Sequence, residues 1–156
     1  MVARAEPLTP ADAGEVLTLQ RAAYVIGAQQ HHDPMLPPLL QSLAELRAEL
    51  ADPDTVALGV RDAGRLVAAV RLRRLGEGRV ALGRLVVAPD RQGEGLGTFL
   101  LGAAETAIPG TRSVELFTGE HSAENLRLYG RVGYVETHRT PAGAYHLVHL
   151  AKDLGG

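Results

Sequence analysis

A glycine-rich turn between an apolar strand and a helix constrains this chain more than any other feature. The strand is the run Leu85-Val86-Val87-Ala88, and Pro89 ends it because proline has no N–H to donate to a sheet. The turn follows as Gln92-Gly93-Glu94-Gly95-Leu96-Gly97, and apolar residues then recur at helical spacing (Leu96, Phe99, Leu100, Ala103). Free N–H groups in such a turn, at the start of a helix, predict an anion site whose usual occupant is phosphate.

Two common phosphate-binding motifs do not fit this turn. The phosphate-loop motif ends in Gly-Lys-Ser/Thr, but Gly97 is followed directly by Thr98, so no lysine is placed to reach a terminal phosphate. The dinucleotide-binding pattern G-x-G-x-x-G requires a third glycine at the position that Thr98 occupies. Neither motif therefore accounts for the glycine spacing.

A third pattern fits the turn, and a second motif downstream supports it. The turn resembles the Q/R-x-x-G-x-G/A signature of the GNAT N-acetyltransferase superfamily, and the strand before it is similar to that family's strand. Residues 122–134 resemble the family's second element, N-x-x-x-Y-x-x-x-G-Y/F, with Asn125, Tyr129 and Tyr134 at the matching positions. In the C-terminal half the resemblance lies in these sequence motifs. In the N-terminal half only the order of secondary-structure elements resembles the family.

The resemblance implies acetyl-coenzyme A as co-substrate and gives several residues a role. It implies that Tyr129 is a general acid that protonates the departing thiolate, since a phenol of pKa about 10 suits a thiolate of pKa about 8.5. Asn125, four residues earlier on the same helical face, would orient the coenzyme A arm. The pantetheine arm would bind the main chain at Leu85, Val86 and Val87. The pyrophosphate would bind the main chain of the turn, at Gln92, Gly93, Glu94, Gly95, Leu96 and Gly97. Thr98 would add a hydroxyl to the pyrophosphate site.

Composition excludes several classes of protein. The chain has 156 residues, 46% hydrophobic and 22% charged, so we expect one domain over residues 1–156 with a buried core. A net charge of -2 without a basic block argues against nucleic acid as a main partner. The absence of cysteine excludes disulfides, thiolate metal sites and a cysteine nucleophile. With no apolar run of about 20 residues and no signal-peptide core at the N-terminus, we expect a cytoplasmic protein without a membrane partner.

Periodicity and turn signals predict an α/β domain whose mixed, mostly antiparallel central sheet is flanked by helices in three layers, the order expected of the GNAT fold. Thr9 is predicted to cap the first helix with Pro10 at its first position, Ser42 and Glu45 to form a capping box, and Gly133 to end the last helix. The predicted strands cover residues 2–8, 55–60, 66–72, 79–88, 113–118, 134–139 and 144–151, and residues 29–40 are predicted to be a long loop.

The long loop is the expected acceptor site, because long loops in compact domains are often functional. The residues expected to touch the acceptor are Tyr24, Gln30 and His31, with Glu120 and His121 from a second loop. The run His31-His32-Asp33 has the composition of a metal site. Adjacent residues do not face one site without a special turn, so we expect no metal.

The general base and the acceptor stay open at this stage. Many relatives carry a glutamate about where Gly83 stands, and this chain departs from that pattern. Glu115, Glu120 and His121 are the nearby candidates, and a base acting through water fits equally well. The main hypothesis is acetyl transfer to a primary amine by direct attack in a ternary complex. The alternative is a non-catalytic acyl-coenzyme A-binding module, and a homodimer is left open.

Overall fold

The computed structural model describes residues 3–155, which form a seven-stranded sheet with helices on both faces. The strands are β1 (Glu6–Leu8), β2 (Thr55–Asp62), β3 (Arg65–Gly76), β4 (Arg79–Val87), β5 (Ser113–Gly119), β6 (Val135–Ala142) and β7 (Tyr145–Asp153). The helices are α1 (Ala13–His31), α2 (Pro37–Leu40), α3 (Leu43–Ala51), α4 (Leu96–Ala107) and α5 (Ala123–Arg131), with short 3₁₀ turns at Pro10–Asp12 and Pro89–Arg91.

The strand order across the sheet is β1-β2-β3-β4-β5-β7-β6. Every neighbouring pair is antiparallel except β4 and β5, which run parallel. The crossover between these two strands is α4, as a parallel pair requires. The predicted fold class, a mixed and mostly antiparallel sheet flanked by helices, is therefore confirmed.

Two apolar clusters fill the faces of the sheet. One lies under α4 and α5 and includes Leu82, Leu100, Val114 and Tyr129. The other lies under α1 and α3, where Val16, Leu46 and Val86 are almost fully buried. Strand side chains alternate between faces, so a single strand such as β4 contributes to both clusters. Among the described residues, no helix is long and apolar enough to cross a membrane.

The predicted helix starts are confirmed by their caps. The Thr9 N–H donates to Asp12 Oδ2 at 2.8 Å, and Pro10 opens the 3₁₀ turn that leads into α1. At α3, the Glu45 N–H donates to Ser42 Oγ at 3.1 Å and the Ser42 N–H donates to Glu45 Oε1 at 2.8 Å, which is the predicted capping box. Gly133 follows α5 in the left-handed conformation, with φ +102°.

The predicted loop over residues 29–40 is wrong in extent. Helix α1 continues through His31, and residues 37–40 form the short helix α2, because proline is tolerated in the first helical turn. The irregular segment is thus residues 32–36, which we call the α1–α2 loop. The first strand begins at Glu6 rather than earlier, and Val2, which the prediction included, lies outside the described residues.

Candidate active site

The sheet splits between β4 and β5, and the split opens a gap lined by main chain. Three described residue pairs join the two strands, namely Arg79–Ser113, Val80–Val114 and Ala81–Glu115. Beyond these pairs β4 continues to Val87 and β5 to Gly119 without facing each other in register. Main-chain groups along the second half of β4 are therefore available to a ligand.

The alternation of β4 identifies which main-chain groups face the gap. The Ala88 N–H donates to Val67 O of β3 at 2.8 Å, so this residue faces the paired side. Successive residues of a strand present their N–H and C=O groups to opposite neighbours, which turns those of Val87 and Leu85 toward the gap. The main-chain groups of Val86 face β3, and its side chain is buried under α1. The contacts of these three residues with a pantetheine arm stay predictions.

The glycine turn (residues 92–97) depends on left-handed backbone at two positions. Gly93 has φ +79° and Gly95 has φ +83°, values that L side chains seldom adopt. Gly95 is the N-cap of α4, and the Phe99 N–H donates back to its carbonyl at 3.0 Å. The N–H groups of residues 96–98, between Gly95 and Phe99, have no partner within the helix. They form the positive helix end that the sequence predicted as an anion site.

The rest of the turn is divided between core and solvent. Leu96 is buried in the cluster under α4, and a Cβ on Gly97 would meet Leu128 of α5 at 3.4 Å. Gln92 and Thr98 are exposed, which leaves both side chains free to meet a ligand. The turn thus has an inner side anchored in the core and an outer side open to solvent.

Ion pairs hold the turn and neutralise its acidic residues. Arg91 pairs with Glu94 at 3.0 Å and with Asp62 at 2.9 Å, and Arg65 pairs with Asp90 at 2.6 Å. These contacts hold the pKa of Glu94 below its usual range and lower that of Asp90 to about 2, mainly through Arg65. Because Glu94 is paired with Arg91, its carboxylate repels an approaching phosphate less than a free one would.

Helix α5 places a buried phenol beside the gap. Tyr129 is only 6% exposed, and its ring lies edge-on to that of Tyr134 with centroids 5.9 Å apart. Burial raises the pKa of the Tyr129 phenol, and the neighbouring Tyr24 and Tyr134 add to the shift. One turn earlier, Asn125 Nδ2 donates to Thr118 Oγ1 of β5 at 3.4 Å. Asn125, which shares a face of α5 with Tyr129, therefore lies against β5, and a role of either residue at the gap stays a prediction.

Tyr24 on α1 approaches the same place from the opposite face. Its hydroxyl interacts with the Arg84 guanidinium of β4, and the Arg71 guanidinium of β3 lies nearby. Burial raises the pKa of Tyr24, and the two arginines partly offset that effect. Tyr24 also interacts electrostatically with Tyr129. The structure thus brings together two residues that the sequence singled out and two arginines that it missed.

Arg71 belongs to a buried polar cluster that supports α1, α2 and α3. The side chain is 5% exposed, and its Nη1 donates to Gln20 Oε1 at 2.9 Å. Its Nε lies 3.1 Å from Glu49 Oε2, without hydrogen-bond alignment. Gln20, fully buried, donates to the Pro38 carbonyl of α2 at 2.8 Å. A charge within an otherwise apolar strand run is the sequence signal for such a cluster.

The α1–α2 loop is fastened by side chains from distant elements. His31 is 7% exposed; its Nδ1 lies 2.9 Å from the Gly27 carbonyl, and its Nε2 accepts the His121 N–H at 3.0 Å. The Tyr145 hydroxyl of β7 donates to Asp33 Oδ2 at 2.7 Å. Both ring nitrogens of His31 are engaged within the protein, so this residue shapes the loop. Its contact with an acceptor stays a prediction, as does that of the exposed Gln30.

The acidic candidates for a general base are held in their ionised form. Arg79 donates to both carboxylate oxygens of Glu115, at 2.6 and 3.1 Å, and lowers its pKa. Glu120 Oε1 accepts the His146 N–H at 2.7 Å, which is the main reason that its pKa is lowered. A lowered pKa makes a carboxylate a weaker base. His121 has a half-exposed side chain 4.0 Å from Glu120.

Two open grooves on the described part of the chain lie away from the gap. An open groove of about 730 Å³ lies at the other end of β5 and β7, and a smaller one of about 380 Å³ lies between α1 and the α1–α2 loop. Neither is lined by the glycine turn or Tyr129. The split sheet remains the candidate site, because main-chain groups of β4 are unpaired there and the strand leads to the helix N-terminus at the glycine turn. Within residues 3–155, no three His, Asp or Glu side chains are grouped so that they could hold a metal ion.

Comparison with known proteins agrees with this geometry. The profile of the Acetyltransferase (GNAT) family matches residues 16–134, more than half of the sequence, and the chain belongs to this family. No curated protein matches the chain.

Solved structures share the fold over nearly the whole chain. The PaiA N-acetyltransferase of Thermoplasma acidophilum, solved in complex with coenzyme A, is 16% identical with a TM-score of 0.79, over 98% of this chain and 99% of that one. The ribosomal-protein-S18-alanine N-acetyltransferase of Escherichia coli is 16% identical with a TM-score of 0.81, over 99% and 96%. The GNAT domain of S. lividans PAT is 22% identical with a TM-score of 0.76, over 97% and 90%. At these identities the likeness shows the fold.

Proposed function

We propose that the protein transfers the acetyl group of acetyl-coenzyme A to a primary amine by direct attack within a ternary complex. The observation that carries this proposal is the gap between β4 and β5, which leads to the helix N-terminus at the glycine turn. A ligand with an extended amide arm and a pyrophosphate at its end matches these two features together. Membership of the GNAT family and the coenzyme A complex of a structural relative support the same co-substrate.

The glycine turn binds the pyrophosphate through the main-chain N–H groups of residues 92–97, with the hydroxyl of Thr98 as an added donor. The pantetheine arm lies along β4 and bonds to the main chain at Leu85 and Val87, and Asn125 orients it from the other side. The arrangement needs no metal, since backbone donors and the helix dipole supply the positive potential.

The chemical step is an addition followed by an elimination. The neutral amine attacks the thioester carbonyl carbon, a C–N bond forms, and the oxygen takes the negative charge, which strand N–H groups stabilise. The C–S bond then breaks, the amine proton is lost to a base, and the thiolate of coenzyme A leaves as the thiol. Holding both substrates in one site converts the encounter into a local reaction.

Tyr129 supplies a proton to the leaving sulfur. Because burial raises its pKa, the phenol is fully protonated at neutral pH and donates a hydrogen bond as charge develops on sulfur. The raised pKa of Tyr129 also makes complete transfer of its proton to sulfur unfavourable, unless the phenolate is reprotonated at once. The proton released by the amine serves this purpose, so the net reaction moves one proton from nitrogen to sulfur. Since Glu115 and Glu120 are ion-paired, we assign removal of the amine proton to His121 or to water in the gap rather than to either carboxylate.

A non-catalytic acyl-coenzyme A-binding module is the weaker alternative. It rests on Gly83 standing where many relatives carry a glutamate. A binding module would have no need for a buried phenol beside the gap, and Tyr129 therefore favours the enzyme. The cytoplasmic location and the homodimer considered above stay predictions.

The proposal is tested by release of coenzyme A thiol from acetyl-coenzyme A with a panel of primary amines. Titration calorimetry with coenzyme A alone provides the separate measure of binding. Thiol release that depends on an amine supports the enzyme. Tight binding without release from any amine favours the binding module, and absence of binding overturns both functions.

A further inference from the structure

Arg84 has an unusual backbone for a residue inside a strand. Its φ is +54°, and the other described non-glycine residues with positive φ are His32, Ala63 and Glu77. Those three lie at a helix end and in two strand connections, where the left-handed conformation is common. Strained backbone in the middle of a sheet persists where the surrounding structure fixes it and clusters at functional sites. The position therefore calls for a function of the side chain.

The strain coincides with a β-bulge that changes the face of the strand. Between the pairs Ala69–Val86 and Arg71–Gly83, β3 advances by two residues while β4 advances by three. Before the bulge, Leu82 packs under α4; after it, Val86 packs under α1. The extra residue thus turns Arg84 toward α1, where Tyr24 and Arg71 lie.

The guanidinium of Arg84 has no acidic partner in this position. Its Nε is buried without a hydrogen bond, and no carboxylate of the described residues lies within ion-pair distance. Arg71, beside it, already has Glu49. A partly buried charge next to a second cation and without a counter-ion is costly unless a ligand supplies the negative charge.

Coenzyme A does not supply this charge in the proposed complex. Its phosphates lie at the glycine turn, beyond the end of β4, and the arm that passes Leu85 is neutral. The missing anion must then belong to the acceptor. Since Arg84 precedes Leu85 directly, the anion lies close to the reacting carbonyl and hence only a few bonds from the attacking amine.

We propose that Arg84 binds a carboxylate of the acceptor, and that the acceptor is a small amine carrying that carboxylate within a few bonds, as a free amino acid does. This inference rests on the proposed acetyl transfer and names its substrate class. A guanidinium matches a carboxylate through two parallel hydrogen bonds, which fixes both distance and orientation. The Tyr24 hydroxyl interacts with the guanidinium and would border the same site. Amines without an acid group, and polyamines above all, are disfavoured by the two arginines.

The test compares amino acids with their neutral amides and with the amines obtained by decarboxylation. Thiol release is measured for each matched set, with wild-type protein and with Arg84→Met, Arg84→Lys and Arg84→Gly. We expect the wild type to prefer the best amino acid over its amide by about 10- to 100-fold in kcat/KM, the range of hydrogen bonds to a charged group. Arg84→Met removes this preference by raising KM for the amino acid, and Arg84→Lys restores part of it.

The variants are chosen to separate binding from folding. Methionine keeps an unbranched stem and the strain of the left-handed backbone but removes the charge, whereas Arg84→Gly removes that strain and is therefore expected to fold. The matched control is Arg74→Met on β3, an exposed arginine that donates to the Pro53 carbonyl at 2.8 Å. The control should keep the preference, and all variants should keep the wild-type affinity for coenzyme A.

Several outcomes overturn the inference while the proposed function stands. They are equal rates on amino acids and amides in the wild type, or an unchanged preference in Arg84→Met and Arg84→Gly. If coenzyme A binds and no amine is acetylated, the proposed function fails. The carboxylate site is then decided by calorimetry of N-acetylated amino acids against their amides on the protein saturated with coenzyme A. Binding of the acids that is lost in Arg84→Met supports the site, and its absence overturns it.

Discussion

The glycine turn and the α1–α2 loop are the proposed cofactor and acceptor sides of the site, and they are built in different ways. The turn is set mainly by its own backbone, through two left-handed glycines and a helix N-terminus, and Arg91 pairs with Glu94 within it and with Asp62 at the end of β2. The loop is set by contacts with elements far away in sequence, His31 with His121 and Asp33 with Tyr145. Backbone geometry therefore defines the proposed cofactor side, and side-chain contacts define the proposed acceptor side.

This difference indicates how the two sides can vary. A site made of main-chain N–H groups requires glycines but tolerates changes in most surrounding side chains. A site made of long-range side-chain contacts changes with any of its partners. The proposed acceptor side is thus the place where specificity is expected to change without loss of the cofactor.

The largest effect is expected from removing the Tyr129 hydroxyl. Tyr129→Phe should lower kcat by about 10²–10⁴-fold, the range for loss of a general acid, with little change in acetyl-coenzyme A affinity. Steady-state kinetics and calorimetry measure the two quantities.

The matched control is Tyr134→Phe, since that phenol packs against Tyr129 and its buried hydroxyl lacks a partner. We expect near-normal turnover from this control. If Tyr129→Phe also keeps near-normal turnover, with the chemical step shown to be rate-limiting, Tyr129 is a packing residue.

The next effect tests the glycine turn. Gly95→Val puts a β-branched residue at φ +83° and distorts the main chain that holds the pyrophosphate, so coenzyme A affinity should fall about 100-fold or more. A Cβ at this position meets no other atom, so thermal unfolding should stay cooperative.

The same substitution about two turns further along α4, Gly102→Val, serves as the control for the turn. This glycine is exposed, its φ is in the helical range and a Cβ there has open space, so affinity should not change. Unchanged affinity in a folded Gly95→Val protein would remove the turn from the binding site.

A smaller effect is expected from the α1–α2 loop. Replacing His31-His32-Asp33 by alanines should raise the acceptor KM and leave acetyl-coenzyme A affinity alone, the pattern of lost binding to one substrate. Single alanine variants show how much each residue contributes to the rise in acceptor KM. His31→Ala, which removes a buried side chain with two contacts, should account for most of it and lower Tm, whereas the exposed His32→Ala should act weakly. If acceptor kinetics are unchanged in the triple variant, the acceptor lies elsewhere.

The smallest effect concerns pH. The Tyr145 hydroxyl and the Met35 N–H hold the pKa of Asp33 below its usual range. A carboxyl group with a lowered pKa in the folded state adds stability above its unfolded pKa, and this contribution is lost as the pH falls through the folded pKa. Tyr145→Phe should therefore lower Tm slightly at neutral pH, and the difference from wild type should shrink below pH about 4. A difference that does not vary with pH would mean that ring packing on His31 is what the hydroxyl variant disturbs.

Sequence patterns predicted most of the fold because its signals are local. The capping box at Ser42, the turn glycines and the alternation along the strands each depend on neighbouring residues. The end of α1 was misplaced because the prolines at 34, 37 and 38 suggested a loop, whereas contacts of His31 with distant residues keep the last turn helical. Proline at the start of α2 is compatible with a helix, which composition alone did not reveal.

Within the site, the glycine turn and Tyr129 could be named from motifs, but Arg84 and Arg71 could not. Their meaning depends on the bulge in β4, a register shift between strands that no local pattern encodes. The available signal was weak: each arginine interrupts an otherwise apolar strand. Likewise, the pairing of Glu115 with Arg79 across two strands, which makes the carboxylate a poor base, is visible only in the folded chain.

The split between β4 and β5 has a consequence for the mechanics of the domain. The four-stranded N-terminal part of the sheet and the three-stranded C-terminal part meet along a seam of three residue pairs. A coenzyme lying in the gap beyond this seam would bond to β4 on one side and contact α5 on the other, and so act as a brace between the two parts. At a concentration 100 times its dissociation constant, a ligand of the native state adds about 2.7 kcal/mol to the free energy of unfolding. The cellular lifetime of the protein would then follow the supply of its own co-substrate.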